Sequence, residues 1–379
     1  GVFKYTGFFT ENVNAVFGLQ VEVKHLPLPI GISFYTFQSI SYLVDIYRRV
    51  CEPQKNIVKM GLFISFFPQL IAGPILKYYD IASQIDKRQV TLPLFNEGAV
   101  RFLQGLAKKV IIANIMAKTA DEIFALGISD ISTPTAWSGI IAYTFQIYFD
   151  FSGYSDMAIG LGKMFGFHIH ENFNHPYTAT SIKDFWRRWH ISLSTWFKEY
   201  LYIPLGGNRE GTLKTYRNLM IVFFLTGLWH GASWNFVIWG LFHGTFLVLE
   251  RIFPIEKILH FRLLKSIYTL LVVIVAWVFF RAETLGSAWA YLNRMFVPYD
   301  MESYSKYLSN EFVYVAVLAL ASCGFGAMLY RRLFALIGRE NWGNAVVRAV
   351  NPAFCAVIAY FSVLLLASNT YNPFIYFRF

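Results

Sequence analysis

A histidine lies inside the most apolar stretch of the chain. The segment between Arg217 and Glu250 carries the run Gly-Leu-Trp-His-Gly-Ala-Ser-Trp at residues 227–234, with His230 at its centre. An ionisable side chain at membrane depth is costly to desolvate, so its default interpretation is functional. Burial disfavours the imidazolium form, and a neutral ring within hydrogen-bond reach of a hydroxyl can accept its proton. We therefore predict that His230 is a general base; the structural alternative is a packed core histidine.

A second candidate, His190, lies in the most polar region, residues 150–217. Ser181 or Thr180 can cap a helix there, with Asp184 in its first turn. Helical spacing then predicts one amphipathic helix, lying at the membrane interface or inside the bundle. The residues on its apolar side are Trp186, Trp189 or His190, Leu193 and Phe197. The structural alternative for His190 is a hydrogen bond between helices.

Charged residues of the same region can bind a substrate. Arg187, Arg188, Lys198 and Arg209 can meet phosphates, because guanidinium forks match phosphate geometry. Their alternative is to extend along the apolar surface with the charge at the cytoplasmic interface. Asp156 is a further candidate substrate-binding residue, either paired to a cation or lining a water-filled route.

Two other kinds of site are weakly supported. Closely spaced imidazoles at His168, His170 and His175 can bind zinc, but no cysteine or third ligand recurs at a suitable offset. We therefore predict no metal site. Ser155 follows Gly153-Tyr154, yet the Gly-x-Ser-x-Gly pattern of a nucleophilic serine fails at Met157.

Composition indicates an integral membrane protein. Hydrophobic residues make up 56% of the 379 residues and charged residues only 15%, against about 25% in soluble domains. The apolar windows are continuous rather than alternating, which argues against a membrane β-barrel. We therefore predict an all-α polytopic membrane protein in which residues 1–379 form a single membrane domain.

Six long apolar windows approach or exceed the roughly 20 residues that cross a bilayer as a helix. They are residues 26–44, 60–76, 123–149, 218–249, 312–330 and 349–377. The shorter run 266–280 is a further candidate if it tilts or packs internally. We predict eight to eleven helices, some of them re-entrant.

The net charge of +10 has a topological explanation. Basic residues stand in short loops between apolar segments, so membrane orientation explains them better than nucleic-acid binding. Pairs at 48–49, 87–88 and 331–332 favour the cytoplasmic side. The pair at 108–109 can instead be buried in a helix that lines a cavity. The chain begins with Gly1, and we expect further residues before it.

Motifs along nearly the whole chain resemble the membrane-bound O-acyltransferase family. They are PIGISF at 29–34, IAGP at 71–74, FDFSGYSDMA at 149–158, FWRRWHISLS at 185–194, YIPLGGNR at 202–209, LWHG at 228–231 and NPFIYFRF at 372–379. The resemblance is strongest to the bacterial members that O-acetylate alginate or peptidoglycan.

This resemblance implies acyl transfer from a thioester to a hydroxyl, in a tunnel through a helical bundle with re-entrant and interfacial helices. It implies acetyl-CoA as the donor substrate, with no bound cofactor. The final acceptor is an extracytoplasmic polysaccharide, reached through a partner with a serine-hydrolase-like domain of the SGNH type. The location implied is the bacterial inner membrane, crossed several times.

The family resemblance also suggests roles for individual residues. Its invariant histidine corresponds to His230, and a second histidine, present in the D-alanyl-lipoteichoic acid relative, corresponds to His190. We expect His230 to act as base, while His190 orients the acceptor, protonates the leaving thiolate or polarises the thioester carbonyl. Trp229, Asn235 or a backbone N–H near Gly231 can stabilise the tetrahedral oxyanion.

Other functions stay open at this point. A carrier-protein thioester can replace acetyl-CoA, as in D-alanyl transfer. A transporter also places polar residues within apolar helices. A scaffold that docks a separate extracytoplasmic transferase is a third possibility. Replacing His230 separates these classes, because neither transport nor docking requires a general base.

Overall fold

The computed structural model describes residues 1–23, 26–27, 29–300, 307–336, 340–368 and 372–374. Regular structure in these ranges is helical, without strands, which confirms the all-α class. The α-helices are α1 Val2–Phe17, α2 Ile32–Tyr47, α3 Ile57–Ser65, α4 Tyr78–Lys87, α5 Leu92–Ala107, α6 Asn114–Phe124, α7 Thr133–Met164, α8 Ile182–Arg188, α9 Ile191–Phe197, α10 Thr212–His230, α11 Trp234–Ile252, α12 Ile255–Ile258, α13 Arg262–Arg281, α14 Leu285–Phe296, α15 Asn310–Leu320, α16 Gly326–Leu336 and α17 Glu340–Ser368. Short π-helical segments occupy Lys108–Ala113, Lys198–Tyr202 and Ala321–Phe325, and 3₁₀ turns occupy Ile128–Asp130 and Pro176–Thr178.

Two predicted windows are interrupted by turns. In window 60–76 the helix ends at Ser65, and Pro68, which has no backbone N–H to donate, stands in the turns that follow. Window 123–149 is also broken, because α7 begins only after Ser132, whose hydroxyl caps its first turn. Parts of windows 26–44 and 349–377 lie outside the described residues.

Two helices in the described part of the chain are long and apolar enough to span a membrane. They are Arg262–Arg281 and Asn310–Tyr330, and the shorter apolar helix Pro352–Ser368 accompanies them. The run 266–280, predicted as a short candidate, is therefore the core of one of the two clear spans. The predicted total of eight to eleven helices stays a prediction as a count of membrane spans. The single membrane domain over residues 1–379 stays a prediction too.

Polar residues inside the bundle lower the hydropathy of the long helix α7. The 32-residue helix α7 lies against α5, α6 and α13. It contains Asp150 and Asp156, both buried between helices rather than exposed. Charges inside membrane bundles usually face one another or a polar cavity, so low hydropathy here reflects an internal position.

The helices place a group of basic side chains at one end of the bundle. Lys163 of α7 pairs with Glu97 near the start of α5 at 3.2 Å, while Arg281 pairs with Asp121 of α6 at the opposite end. Asn235 bonds the Ala282 carbonyl, so α11 begins where α13 ends. One end of the bundle contains the last turns of α2, α7 and α11 and the first turns of α10 and α13. The basic side chains of this basic end are Arg48, Lys163, Lys214, Arg217, Arg251, Arg262 and Lys265.

Helices α10 and α11 form a hairpin that corrects the prediction of one continuous segment over 218–249. The helix ends at His230, and α11 starts at Trp234 after Gly231 adopts an extended backbone. The two helices approach closely at Gly227 and Gly240. A Cβ atom on Gly240 would collide with the backbone oxygen of Phe223. The close approach of the two helices therefore requires glycine at residue 240, where other residues would have a side chain.

Gly240→Ala is expected to lower the free energy of unfolding by about 1–3 kcal/mol, the usual cost of overpacking a close contact. Thermal unfolding in detergent micelles measures the loss. Gly61→Ala is the matched control, since no heavy atom lies within 4 Å of the position its Cβ would take. Equal melting temperatures for the two variants would contradict close packing at Gly240.

Candidate active site

The first candidate base, His230, stands at the C-terminal end of α10. Carbonyl groups at a helix end lack partners within the helix and must find others. Helix α1 supplies them: Lys4 Nζ donates to the carbonyls of Trp229 at 2.6 Å and His230 at 3.1 Å, and the Tyr5 hydroxyl donates to that of Leu228 at 2.9 Å. The cation also complements the negative end of the helix dipole. Helix α1 thus fixes the backbone that carries the imidazole.

Aromatic rings surround the His230 side chain, which is 7% exposed. The rings of Trp229, Trp239 and Phe280 lie 4.8, 4.9 and 5.2 Å from it between centroids, each in an edge-to-face arrangement. Its Nδ1 is buried and has no hydrogen-bond partner among the described residues. A buried polar atom without a protein partner needs an explanation, and a catalytic role is one that fits a histidine.

The second candidate, His190, lies between two short helices, and the prediction of one amphipathic helix is wrong here. Ser181 does cap α8, accepting the backbone N–H of Asp184 at 3.0 Å as expected. The helix then breaks at His190, whose φ of +43° is left-handed and strained for a residue with a side chain. The segment around Asn172 stabilises the break, because its carbonyl accepts the Ile191 N–H at 2.9 Å.

The His190 ring is completely buried. Its Nδ1 lies 3.2 Å from Asn172 Oδ1, whereas its Nε2 has no partner in the described ranges. The ring stands edge-on to Phe151 at 4.7 Å and lies 6.1 Å from Trp229. His190 therefore has one nitrogen anchored and the other available.

Trp229 connects the two imidazoles. Its ring contacts both His190 and His230, and its buried Nε1–H has no acceptor among the residues described. The same indole lines an apolar cavity of about 410 Å³ together with Phe37 and Trp196. Trp229 thus lines this cavity and contacts both histidines, and its N–H donor has no acceptor among the residues described.

Two other predicted residues have structural partners. Asn235 donates its side-chain N–H to the Ala282 carbonyl at 2.6 Å, so this donor already has an acceptor. Asp156 pairs with Arg101 at 2.7 Å and with Lys108 at 2.6 Å. The oxyanion role of Asn235 and the substrate role of Asp156 stay predictions. In the fold, both side chains bind other parts of the protein.

The C-terminal motif packs onto the same buried charges. Lys109 pairs with Asp150 at 2.5 Å, and its ammonium also donates to the carbonyl of Pro373. The pair Lys108-Lys109 therefore lies inside the bundle, as the alternative topology predicted. Residues 375–379, the remainder of that motif, lie outside the described residues.

The three predicted phosphate-binding arginines occupy different environments. Arg188 is held by Asp184 at 2.9 Å. Arg209 is exposed in the glycine-rich turn before α10. Arg187 lines a cleft of about 180 Å³ with Lys183, at the basic end of the bundle. The apolar remainder of that cleft is formed by Trp186, Leu193, Phe197, Val222, Phe223 and Leu247, with Ser194 and Thr226. Thr226 is one helical turn before His230.

His243 and His170, among the residues described, have partners outside the pair of candidate histidines. His243 is buried and accepts a hydrogen bond from the Trp186 indole at 3.4 Å, so it packs between helices. Among the described residues, no group of three His, Cys, Asp or Glu side chains could hold a metal ion. His170 instead lies 3.7 Å from Asp80.

Three residues beside the site escaped the sequence analysis. Lys4 has no local signal, because its partners lie more than 220 positions away. Lys183 stands four residues before Arg187 in the predicted helix, so the two side chains share one face. That spacing was a signal for Lys183 that the sequence analysis did not use. Asn172 lies within the polar region 150–217, but nothing in its spacing indicated a contact with His190.

Comparisons with known proteins identify the family of this chain. The MBOAT, membrane-bound O-acyltransferase family, matches residues 53–289, which contain both candidate histidines. The probable alginate O-acetylase of Azotobacter vinelandii is 44% identical over the whole of this chain and 82% of its own length. The peptidoglycan O-acetyltransferase of Helicobacter pylori is 44% identical over 78% of this chain and 62% of its length.

A more distant relative is named for a different activity. The teichoic acid D-alanyltransferase of Bacillus subtilis is 27% identical over 59% of this chain and 59% of its own length. The family match over most of the chain and the extensive identity to O-acetylating proteins lead to one conclusion. The chain belongs to the membrane-bound O-acyltransferase family and is an O-acyltransferase enzyme.

Proposed function

We propose that this enzyme transfers an acetyl group from cytoplasmic acetyl-CoA to a hydroxyl acceptor, leading to O-acetylation of an extracytoplasmic polysaccharide. The observation that carries the proposal is the convergence of His190, Trp229 and His230. Each presents a buried nitrogen without a partner among the described residues. Two imidazoles and an N–H donor are the groups that acyl transfer to a hydroxyl requires.

The reaction needs a base and a donor for the oxyanion. As the acceptor oxygen attacks the thioester carbon, His230 accepts the hydroxyl proton, and the tetrahedral oxyanion receives a hydrogen bond from Trp229 Nε1. Collapse breaks the carbon–sulfur bond, and the proton passes from the imidazolium to the departing thiolate. The products are the acetyl ester and free CoA, whether the first acceptor is the final hydroxyl or an intermediate carrier.

Charge distribution supports a cytoplasmic donor. The end of the bundle that carries Arg48, Lys163, Arg217, Arg251 and Arg262 is assigned to the cytoplasm by the positive-inside rule. The cleft between Lys183 and Arg187 belongs to this end. Its cationic rim suits the phosphates of CoA and its apolar walls suit the pantetheine arm. We infer that the donor enters here, toward a tunnel that leads to His230.

Arg187→Ala is expected to raise the KM for acetyl-CoA about tenfold or more, because a charge-assisted hydrogen bond contributes roughly 1.5–3 kcal/mol. Acetyl-pantetheine lacks the nucleotide phosphates, so its KM should not change. Steady-state release of the thiol, measured with both donors, gives the comparison.

Arg188→Ala is the matched comparator, because Asp184 already holds that guanidinium. Its KM for acetyl-CoA should stay near the wild-type value. An equal loss for both donors in Arg187→Ala would contradict phosphate binding, since it would point to a defect in the walls of the cleft.

The acceptor side extends the proposal to partners. The enzyme acts in a bacterial inner membrane, and a partner with an SGNH-type domain carries the acetyl group to the polymer. Alginate and peptidoglycan are the candidate polymers, because the relatives are named for O-acetylation of these two polymers. Purifying the partner with this chain and following labelled acetyl into each polymer tests the assignment. Label that stays on acetyl-CoA with both polymers would contradict it.

An acyl group on a carrier protein is the second candidate donor. The 27% identity to a D-alanyltransferase favours this alternative, but the relatives named as O-acetylating proteins are more similar. Offering acetyl-CoA and a D-alanyl carrier thioester in separate reactions discriminates between them. A transporter or scaffold would consume neither thioester, and its output would survive replacement of His230.

A further inference from the structure

Asn172 is a fully buried residue whose side chain lies at the centre of a small hydrogen-bond network. Its Oδ1 accepts the backbone N–H of Ser192 at 3.1 Å and the hydroxyl of Ser192 at 2.9 Å. The same oxygen lies 3.2 Å from His190 Nδ1. Three groups therefore meet at one amide oxygen beside a candidate catalytic ring.

The backbone fixes the direction of these bonds. A backbone N–H can only donate, so the atom facing Ser192 N must be the amide oxygen and not the amide nitrogen. The N–H of Ile75 donates to Ser192 Oγ at 3.0 Å, which leaves the serine hydroxyl hydrogen for Asn172. An oxygen that accepts cannot donate, so His190 Nδ1 must carry the hydrogen.

We propose that Asn172 is a positioning residue that holds His190 in the Nδ1–H tautomer, with a lone pair on Nε2. For catalysis this inference rests on the proposed function. A neutral ring with no hydrogen on Nε2 cannot donate from that atom in the resting enzyme. Of the three roles predicted for His190, the tautomer selects the first: Nε2 accepts a hydrogen bond from a second hydroxyl of the acceptor and so orients the reacting hydroxyl, whose proton goes to His230.

The network also joins three separate segments of the chain. Ile75 follows the motif at 71–74, Asn172 precedes the 3₁₀ turn at Pro176, and Ser192 belongs to the motif at 185–194. The left-handed backbone of His190 turns the ring toward this junction. A neutral amide sets the tautomer here without adding a buried charge, which would be costly to desolvate.

Solid-state ¹⁵N NMR of histidine-labelled enzyme in bilayers tests the inference without substrate. The chain has 8 histidines, and loss of one signal set in His190→Gln assigns the resonances of this ring. The wild type is expected to give the Nδ1–H pattern. Asn172→Ala should shift the ring toward Nε2–H and reduce acetyl transfer on the order of 10²-fold, the low end of general acid–base contributions.

Two further variants separate positioning from packing. Asn172→Asp keeps an acceptor oxygen, so it should retain the Nδ1–H tautomer and more activity than Asn172→Ala. Asn174→Ala removes an exposed side chain two residues away and should change neither measurement. An Nε2–H signal in the wild type overturns the inference, even if Asn172→Ala fails to fold. The inference is also overturned if Asn172→Ala keeps the wild-type tautomer and the wild-type rate of turnover.

The inference and the proposed function can fail separately. A wild-type enzyme with the Nδ1–H tautomer that transfers no acetyl group leaves the role of Asn172 in setting the tautomer intact, and it removes acetyl transfer as the use of that tautomer. Acetyl transfer by a wild-type enzyme with the Nε2–H tautomer would support the proposed function and overturn the role of Asn172.

Discussion

Replacing His230 with alanine is expected to reduce acetyl transfer from acetyl-CoA on the order of 10²–10⁴-fold, the contribution of general acid–base catalysis. The variant loses the imidazole that stands at the end of α10 beside Trp229. A hydroxyl is a poor nucleophile at neutral pH, so attack on the thioester slows without an acceptor for its proton. Single-turnover transfer of labelled acetyl measures the chemical step directly.

His243→Ala is the matched control for this prediction. His243 is also a buried imidazole, and its Nδ1 accepts the Trp186 indole N–H. Its loss should lower the melting temperature and leave the rate per folded molecule close to that of the wild type. Full transfer by His230→Ala would remove the base from the mechanism.

Trp229→Phe is expected to lower the rate of transfer on the order of 10²–10³-fold, the usual cost of losing one oxyanion donor. Phenylalanine keeps an aromatic ring against His190 and His230 and removes the Nε1–H, and the loss of ring volume is matched in the Trp239→Phe comparison. The KM for the donor should change little, because the lost bond forms mainly in the transition state. Steady-state kinetics therefore separates the two parameters.

Trp239→Phe provides the comparison for Trp229. The Trp239 ring also contacts His230, and its buried Nε1 has no partner in the part of the chain that is described. A large loss at Trp239 with wild-type transfer at Trp229 would move the oxyanion donor to α11. Wild-type rates in both variants would leave neither indole as the donor.

The fold class could be predicted from composition, but the helix boundaries could not. Continuous apolar windows distinguish a helical membrane protein from a barrel, and the all-α class follows. The break between His230 and Trp234 was missed, because hydropathy does not register a change of backbone direction at Gly231. The strongest span, α13, was underrated because only its central residues are uniformly apolar.

The candidate site was predictable in its two histidines and not in their surroundings. A histidine in an apolar segment is visible in the sequence, as is a family motif. The partners of Lys4, Asn172 and Trp229 depend on contacts between distant segments, which no local periodicity encodes. The strained turn at His190 was missed for the same reason, since helical spacing through residues 186–197 predicts continuity.

Turnover of acetyl-CoA by the purified wild type tests the central claim most directly. The enzyme in nanodiscs, with its partner and polysaccharide acceptors, receives acetyl-CoA labelled in the acetyl group. We expect label on an acceptor together with release of CoA thiol, and the loss of both in His230→Ala. Failure of the wild type to bind or cleave acetyl-CoA, with partner and acceptor present, would contradict the claim.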